Sequence, residues 1–221
     1  MSTFALIPGA GGSAWYWSRV VPLLEDAGHH AIAIDLPGDK DNAGLPDYTR
    51  LVVDAIDESP GVALVAQSLG GFTAPMVTEV VSVESLTLVN AMIPVPGETP
   101  GQWWENTGAL DARAAAAAIG GYGDFEPETY FLHDVPPEVV AEGTAHQRPE
   151  ADAVFASRCE FTTWPSVSIR VLVGSDDRFF PAEFQRRIAR ERLGLDVDVV
   201  PGGHLLALAR PESVANYLLQ A

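Results

Sequence analysis

A serine hydroxyl becomes a nucleophile only when a base can take its proton and the backbone holds it clear of its neighbours. Ser68 stands in Ala66-Gln67-Ser68-Leu69-Gly70-Gly71, after an apolar run and before a helix-sized segment. Small residues two positions to either side permit a very sharp strand-to-helix turn, which lifts the serine off the sheet at a helix N-terminus. Ala66 stands where glycine is usual, a change of one methyl. A capping serine in a Gly-rich turn is the competing reading of this segment taken alone. Of the five histidines, His29 and His30 precede a strand at its amino end, and His133 and His146 fall where strand signals vanish. His204, in Pro201-Gly202-Gly203-His204, follows a strand candidate and is the expected general base. Asp177, in Gly174-Ser175-Asp176-Asp177-Arg178-Phe179-Phe180-Pro181, is expected to orient the imidazole and stabilise its charged form. Asp176 reads as a turn residue, and the other place for an acid, after the fourth strand candidate, holds Asn90.

Acyl transfer also needs donors aimed at the developing oxyanion. Pro8-Gly9-Ala10-Gly11-Gly12-Ser13-Ala14-Trp15-Tyr16-Trp17 follows the first strand candidate. The expected hole is the backbone N–H of Ala10 with that of Leu69, the residue after the nucleophile. The same loop matches a dinucleotide fingerprint weakly, as Gly9-x-Gly11-x-x-Ala14, with Asp35 near the place of a ribose-binding acid. That reading leaves the turn around Ser68 unexplained. Acyl transfer to water calls for neither a metal nor a cofactor, and none is expected.

These residues need a scaffold that brings them together. Runs rich in Val, Ile and Leu at 3–7, 31–36, 61–66, 85–89, 168–173 and 195–200 read as buried strands. Helices are expected at 14–27, 47–57, 69–81, 181–193 and 205–219. The alternation predicts an α/β fold: a sheet of about six mainly parallel strands flanked by helices. Residues 94–165 break the pattern with Pro, Trp and short helical stretches at 112–119, 138–146 and 150–160. The expected organisation is a core of residues 1–93 and 166–221 with a small inserted helical cap at 94–165.

Composition narrows the partners. A formal charge of −17 over 221 residues argues against nucleic acid and anionic membranes. Cys159 is the sole cysteine and reads as a buried, inert thiol; Lys40 is the sole lysine, leaving little scope for Schiff-base chemistry. The N-terminus carries no signal-peptide pattern, so a cytoplasmic location is expected. The expected partner is a small-molecule ester, with a homodimer left open.

The residues quoted above resemble the α/β-hydrolase superfamily along nearly the whole chain, including its chain order Ser, Asp, His. Residues 8–17, with Val21-Pro22-Leu23-Leu24-Glu25-Asp26-Ala27-Gly28-His29, are similar to the plant methylesterase and hydroxynitrile-lyase branch and to related bacterial esterases. That branch typically reads His-Gly-Ala-x-x-Gly-Ala-Trp-x-Trp here, then a helix ending in Ala-Gly-His. Phe131-Leu132-His133-Asp134 is similar as well. Pro8 replaces the branch's His, which removes a side chain that could support the loop. The lysine that the lyases carry just after the catalytic His is also missing, since Leu205-Leu206-Ala207-Leu208 follows His204. The resemblance therefore implies an esterase for a small, mainly apolar carboxylic ester, working through an acyl-enzyme. A lyase, lactonase or carbon–carbon hydrolase on the same residues is the alternative, with a non-catalytic ligand-binding homologue behind it. Trp103, Trp104, Tyr122, Phe125, Tyr130 and Phe131 make the cap aromatic. Trp15, Trp103, Trp104, Phe125 and Phe131 are the candidates for the substrate pocket.

Overall fold

The computed structural model describes residues 1–56 and 59–220. Six strands form one sheet in the order β2-β1-β3-β4-β5-β6: β1 Thr3–Ile7, β2 His30–Ala33, β3 Val62–Gln67, β4 Ser85–Val89, β5 Ser168–Gly174 and β6 Asp198–Val200. Every pairing is parallel, where a mainly parallel sheet was expected. β1 and β3 are buried along their whole length, which is why they read as continuous apolar runs. β2 and β6 form the edges and are shorter than their apolar runs. At β6 the pairing starts only at Asp198, opposite Leu172.

The core helices are α1 Val21–Asp26, α2 Leu45–Ile56 and α3 Gly70–Thr78. The expected end of α2, at Asp57, lies outside the described residues. Between β4 and β5 come α4 Pro100–Thr107, α5 Ala109–Gly120, α6 Pro127–Tyr130, α7 Pro137–Gly143 and α8 Asp152–Ala156. α9 Ala182–Leu193, α10 Leu206–Ala209 and α11 Pro211–Leu218 complete the chain. Two helices expected to be continuous are broken. The stretch 14–27 divides into a 3₁₀ turn, Ala14–Trp17, and α1, with Pro22 in the first turn of α1. The stretch 205–219 divides at Arg210, because Pro211 drives the residue before it out of helical geometry (φ −138°) and starts α11. In the insert, 150–160 yields only α8, and the α4 helix was not expected. Its start is a capping box in which the Thr99 side chain accepts the Gln102 N–H and the Gln102 side chain accepts the Thr99 N–H.

The sheet carries an apolar layer on each face. One packs Leu64, Phe72, Leu86, Trp103 and Phe184 together, and the other Leu6, Trp17, Leu24, Val65 and Val214. Cys159 lies in the first layer, fully buried, with its thiol against the Phe72 carbonyl at 3.1 Å. Among the described residues no helix is long and apolar enough to cross a membrane.

Two outcomes follow from this burial. Leu64→Ala, in the middle of β3 and fully buried, is expected to cost about 2–5 kcal/mol in urea denaturation. Ile119→Ala, at a residue 90% exposed, should stay within about 0.5 kcal/mol. Burial pushes the Cys159 thiol well above its usual range. It should therefore react with an aromatic disulfide reagent only after denaturation, read by absorbance at matched times in native buffer and in guanidinium.

Candidate active site

At the end of β3 the backbone reverses within one residue. Ser68 sits at φ 48°, in the left-handed region that non-glycine residues enter at a cost. Two amides hold the turn: the Ser68 carbonyl accepts the Gly71 N–H at 3.1 Å and, from the segment after β4, the Met92 N–H at 2.9 Å. The two small neighbours are explained differently. A side chain at Gly70 would meet the Pro8 carbonyl oxygen at 2.7 Å, so only glycine fits. Ala66 is paired in register with Ile7 and Leu88, fully buried, and its methyl belongs to the core.

The structure brings the three expected residues into one line. Ser68 Oγ lies 3.0 Å from His204 Nε2, and His204 Nδ1 lies 2.8 Å from Asp177 Oδ2. This geometry suits the tautomer in which Nδ1–H donates to the carboxylate and Nε2 accepts from the serine. All three are buried, with exposures of 8%, 2% and 4% for Ser68, His204 and Asp177. A buried carboxylate needs its lone pairs satisfied. Asp177 Oδ1 accepts the Phe179 and Phe180 N–H groups at 2.8 Å each, and Oδ2 also accepts Gln185 Nε2–H at 3.1 Å. Asp176 stays in the turn, accepting from the Ser175 hydroxyl and the Gly202 N–H.

Sequence reasoning missed two positioning groups, Asn90 and Gln185. Asn90 is fully buried at the end of β4, where an acid had been sought. Its Nδ2 donates to the Gly203 and His204 carbonyls at 3.0 Å each, while its Oδ1 accepts the Gly174 N–H at 2.8 Å. It therefore ties the histidine turn to the end of β5. The available signal was its place at a strand end and the tolerance of Asn for positive φ, here 44°. Gln185 projects from α9, and nothing in its sequence neighbourhood marks it.

Ala10 and Leu69 both line a cavity of about 430 Å³ that opens over Ser68 and His204. Gly9 packs so closely on Ser68 that a side chain there would come within 2.8 Å of Ser68 Cβ. The loop carrying Ala10 is thus in direct contact with the turn that bears Ser68. Of the expected pocket residues, Trp15, Trp104 and Phe131 line the cavity. Trp103 and Phe125 do not. Trp103 is 1% exposed, donates its indole N–H to the Ile93 carbonyl and packs on Phe180 and Phe184. Phe125 is 43% exposed and meets Tyr130 at a tilt and Phe131 edge-on. The lining residue most readable in hindsight is Phe179, two places after Asp177, whose ring lies edge-on to His204 at 5.0 Å. The insert contributes Leu132, Val139 and Val140 as well, and His146 stacks flat on Trp15 at 5.2 Å. His133 lies outside the lining, against the turn that bears Gly203.

Asp35, weighed as a ribose acid, is engaged otherwise. It accepts the Ala14 N–H at 2.9 Å and pairs with Arg148 of the insert at 2.7 Å. Among the described residues no cluster of three or more His, Cys, Asp or Glu could hold a metal ion.

Residues 4–217 match the model of the Alpha/beta hydrolase family. The "Probable esterase PIR7A" of Oryza sativa is 28% identical over 98% of this chain and 95% of its own length. The "Alpha-hydroxynitrile lyase" of Arabidopsis thaliana is 21% identical over 97% of this chain and 95% of its own. The crystal structure of polyneuridine aldehyde esterase shares the fold, with a TM-score of 0.81 at 22% identity, covering 100% of this chain and 98% of that one. With a family match that spans sheet, insert and site, and with relatives in the plant esterase and hydroxynitrile-lyase branch that residues 8–29 resemble, this chain belongs to the alpha/beta hydrolase family.

Proposed function

We propose that this protein is a serine-dependent carboxylic-ester hydrolase for a small, uncharged and mainly apolar ester. The observation that carries the reading is the buried relay from Ser68 Oγ to His204 Nε2 and from His204 Nδ1 to Asp177, opening onto an aromatic cavity. Ser68 Oγ attacks the acyl carbon while His204 Nε2 takes its proton. The carbonyl oxygen becomes an anion held by the Ala10 and Leu69 N–H groups. Each such donor is worth roughly 3 kcal/mol of barrier in a site shielded from water. His204 then protonates the departing alkoxide, leaving the acyl group on Ser68. A water molecule delivers its proton to His204 and attacks the acyl-enzyme; collapse returns the proton to Ser68 and frees the acid. Asp177 keeps the imidazole in the required tautomer throughout.

The cavity supports an uncharged substrate. Its walls are mainly apolar, and the Arg148 guanidinium at its edge is already committed to Asp35 and to the Gly12 carbonyl. The relatives named as esterases favour hydrolysis over the lyase alternative. So does the absence of any lysine after Lys40, since a lyase would stabilise cyanide with a cation beside the histidine.

Ser68→Ala is expected to abolish turnover of short p-nitrophenyl esters and labelling by a fluorophosphonate probe, with the circular dichroism spectrum unchanged. Turnover that survives this change would refute Ser68 as the nucleophile. Asp177→Asn should keep the geometry but favour the wrong tautomer, lowering kcat by about a thousandfold or more. Steady-state kinetics at fixed pH would read it, and a loss below about tenfold would argue against the assignment.

A further inference from the structure

The Ala10 N–H can serve an oxyanion only if it is held toward Ser68, and the loop that carries it is intrinsically loose. Gly11 and Gly12 both sit in the left-handed region, at φ 83° and 67°. The loop's own hydrogen bond is a single turn, from the Gly12 N–H to the Gly9 carbonyl at 3.1 Å. Other grips come from outside it. Leu36 N–H donates to the Gly12 carbonyl at 2.8 Å. The rest come from a short strap of the insert, residues 148–151. Arg148 Nη2 donates to the same Gly12 carbonyl at 2.7 Å, and its two nitrogens clasp Asp35 at 2.7 and 3.1 Å. Glu150 Oε2 accepts the Gly11 N–H at 2.6 Å, and its other oxygen accepts the hydroxyl of buried Tyr48 on α2. The Ala151 N–H, bonded to the Gly38 carbonyl at 2.7 Å, fixes the strap itself.

We propose that Glu150, backed by Arg148 and Tyr48, is a positioning residue that sets the direction of the Ala10 N–H in the oxyanion hole. This inference rests on the ester-hydrolase reading above. A peptide unit is planar, so gripping the Gly11 N–H fixes the whole Ala10–Gly11 plane. The Ala10 N–H lies in the preceding plane, whose Gly9 carbonyl accepts the Gly12 N–H at 3.1 Å, so with both planes held Ala10 keeps little freedom. Glu150 lies outside the cavity lining, so it acts through the loop and not on the substrate. Holding a carboxylate there is costly, since burial raises its pKa against the opposing pull of Tyr48, Gly11 and Arg148. The cost is offset in the transition state, where a donor already aimed needs no reorganisation. Pro8 has no side chain able to brace this loop, and the strap braces it from the other side.

The test measures kcat and KM for a short p-nitrophenyl ester together with inhibition by an aryl trifluoromethyl ketone. Ser68 Oγ adds to the ketone carbon, His204 takes the proton, and the resulting anionic oxygen occupies the hole. Glu150→Ala is expected to lower kcat about tenfold or more and to weaken the ketone by a similar factor. KM should stay within about twofold. Glu150→Gln keeps an acceptor for the Gly11 N–H and should recover kcat to within about threefold of wild type. Tyr48→Phe, which leaves the carboxylate with one anchor fewer, should fall between. Unchanged kcat in Glu150→Ala, a lower kcat with ketone affinity intact, or a Gln variant no better than Ala overturns the positioning role. Circular dichroism identifies a variant that does not fold. Should Glu150→Ala be unfolded, wild-type kcat and ketone affinity in Tyr48→Phe overturn the role instead. A wild-type protein that neither hydrolyses the esters nor takes a fluorophosphonate overturns the ester-hydrolase reading, and this inference with it.

Discussion

In a parallel sheet every strand delivers its carboxyl end to the same edge, and the rest of this molecule depends on that constraint. β1 lies beside β3 although β2 comes between them in sequence. The Gly-rich loop after β1 and the sharp turn after β3 are therefore neighbours at the point where the strand order reverses. β4, β5 and β6 continue the edge and bring Asn90, Asp177 and His204 to it. Residues more than a hundred positions apart meet within hydrogen-bonding distance without any long-range feature of sequence to announce it.

The meeting point is expensive to build. Ser68 and Asn90 both hold positive φ, a strain of roughly 1–3 kcal/mol each. Asp177, His204, Asn90 and Gln185 are buried with almost no contact with water. The structure offsets most of this cost with hydrogen bonds, although Gln185 Oε1 is buried without a partner among the described residues. Asp177 accepts from two backbone amides, Gln185 and His204, while Asn90 uses both ends of its amide on three backbone groups. A network so connected has few alternative arrangements, so the imidazole is held ready between serine and acid. Phe131, Phe179 and Phe180 crowd the same ring and keep water from competing for its bonds.

The insert between β4 and β5 has two tasks at this edge. Its apolar side chains, with Trp104 and Phe131, form the walls of the cavity. Its strap at 148–151 reaches across to the Gly-rich loop, to Asp35 and to Tyr48. The residues that shape the pocket are thus continuous with those that hold Gly11 and Gly12. The seating of the insert and the position of the Gly-rich loop are mechanically linked.

The strand runs at 3–7 and 85–89 were legible to the residue, because burial on both faces leaves continuous apolar runs. The edge strands were not, since their ends are set by where a partner stops. Helix breaks at Arg210 and after Trp17 were obscured because a proline in a first turn looks the same inside a helix as at its start. That Ser68, His204 and Asp177 would meet was readable because small-residue turns at strand ends are local and chemically particular. Trp103 and Phe125 were misplaced because aromatic composition says nothing about which way a ring faces. Asn90 carried only the weak signal of its place at a strand end, and Glu150 carried none, since the partners they hold lie 84 and 139 positions away. What the sequence by itself determined was the list of strands and the three side chains, Ser68, Asp177 and His204, that meet at their ends. Tertiary structure alone decided which side chains buttress that chemistry and which rings line the cavity. Burial, ring orientation and hydrogen-bond partnership exist only once distant segments are packed against one another.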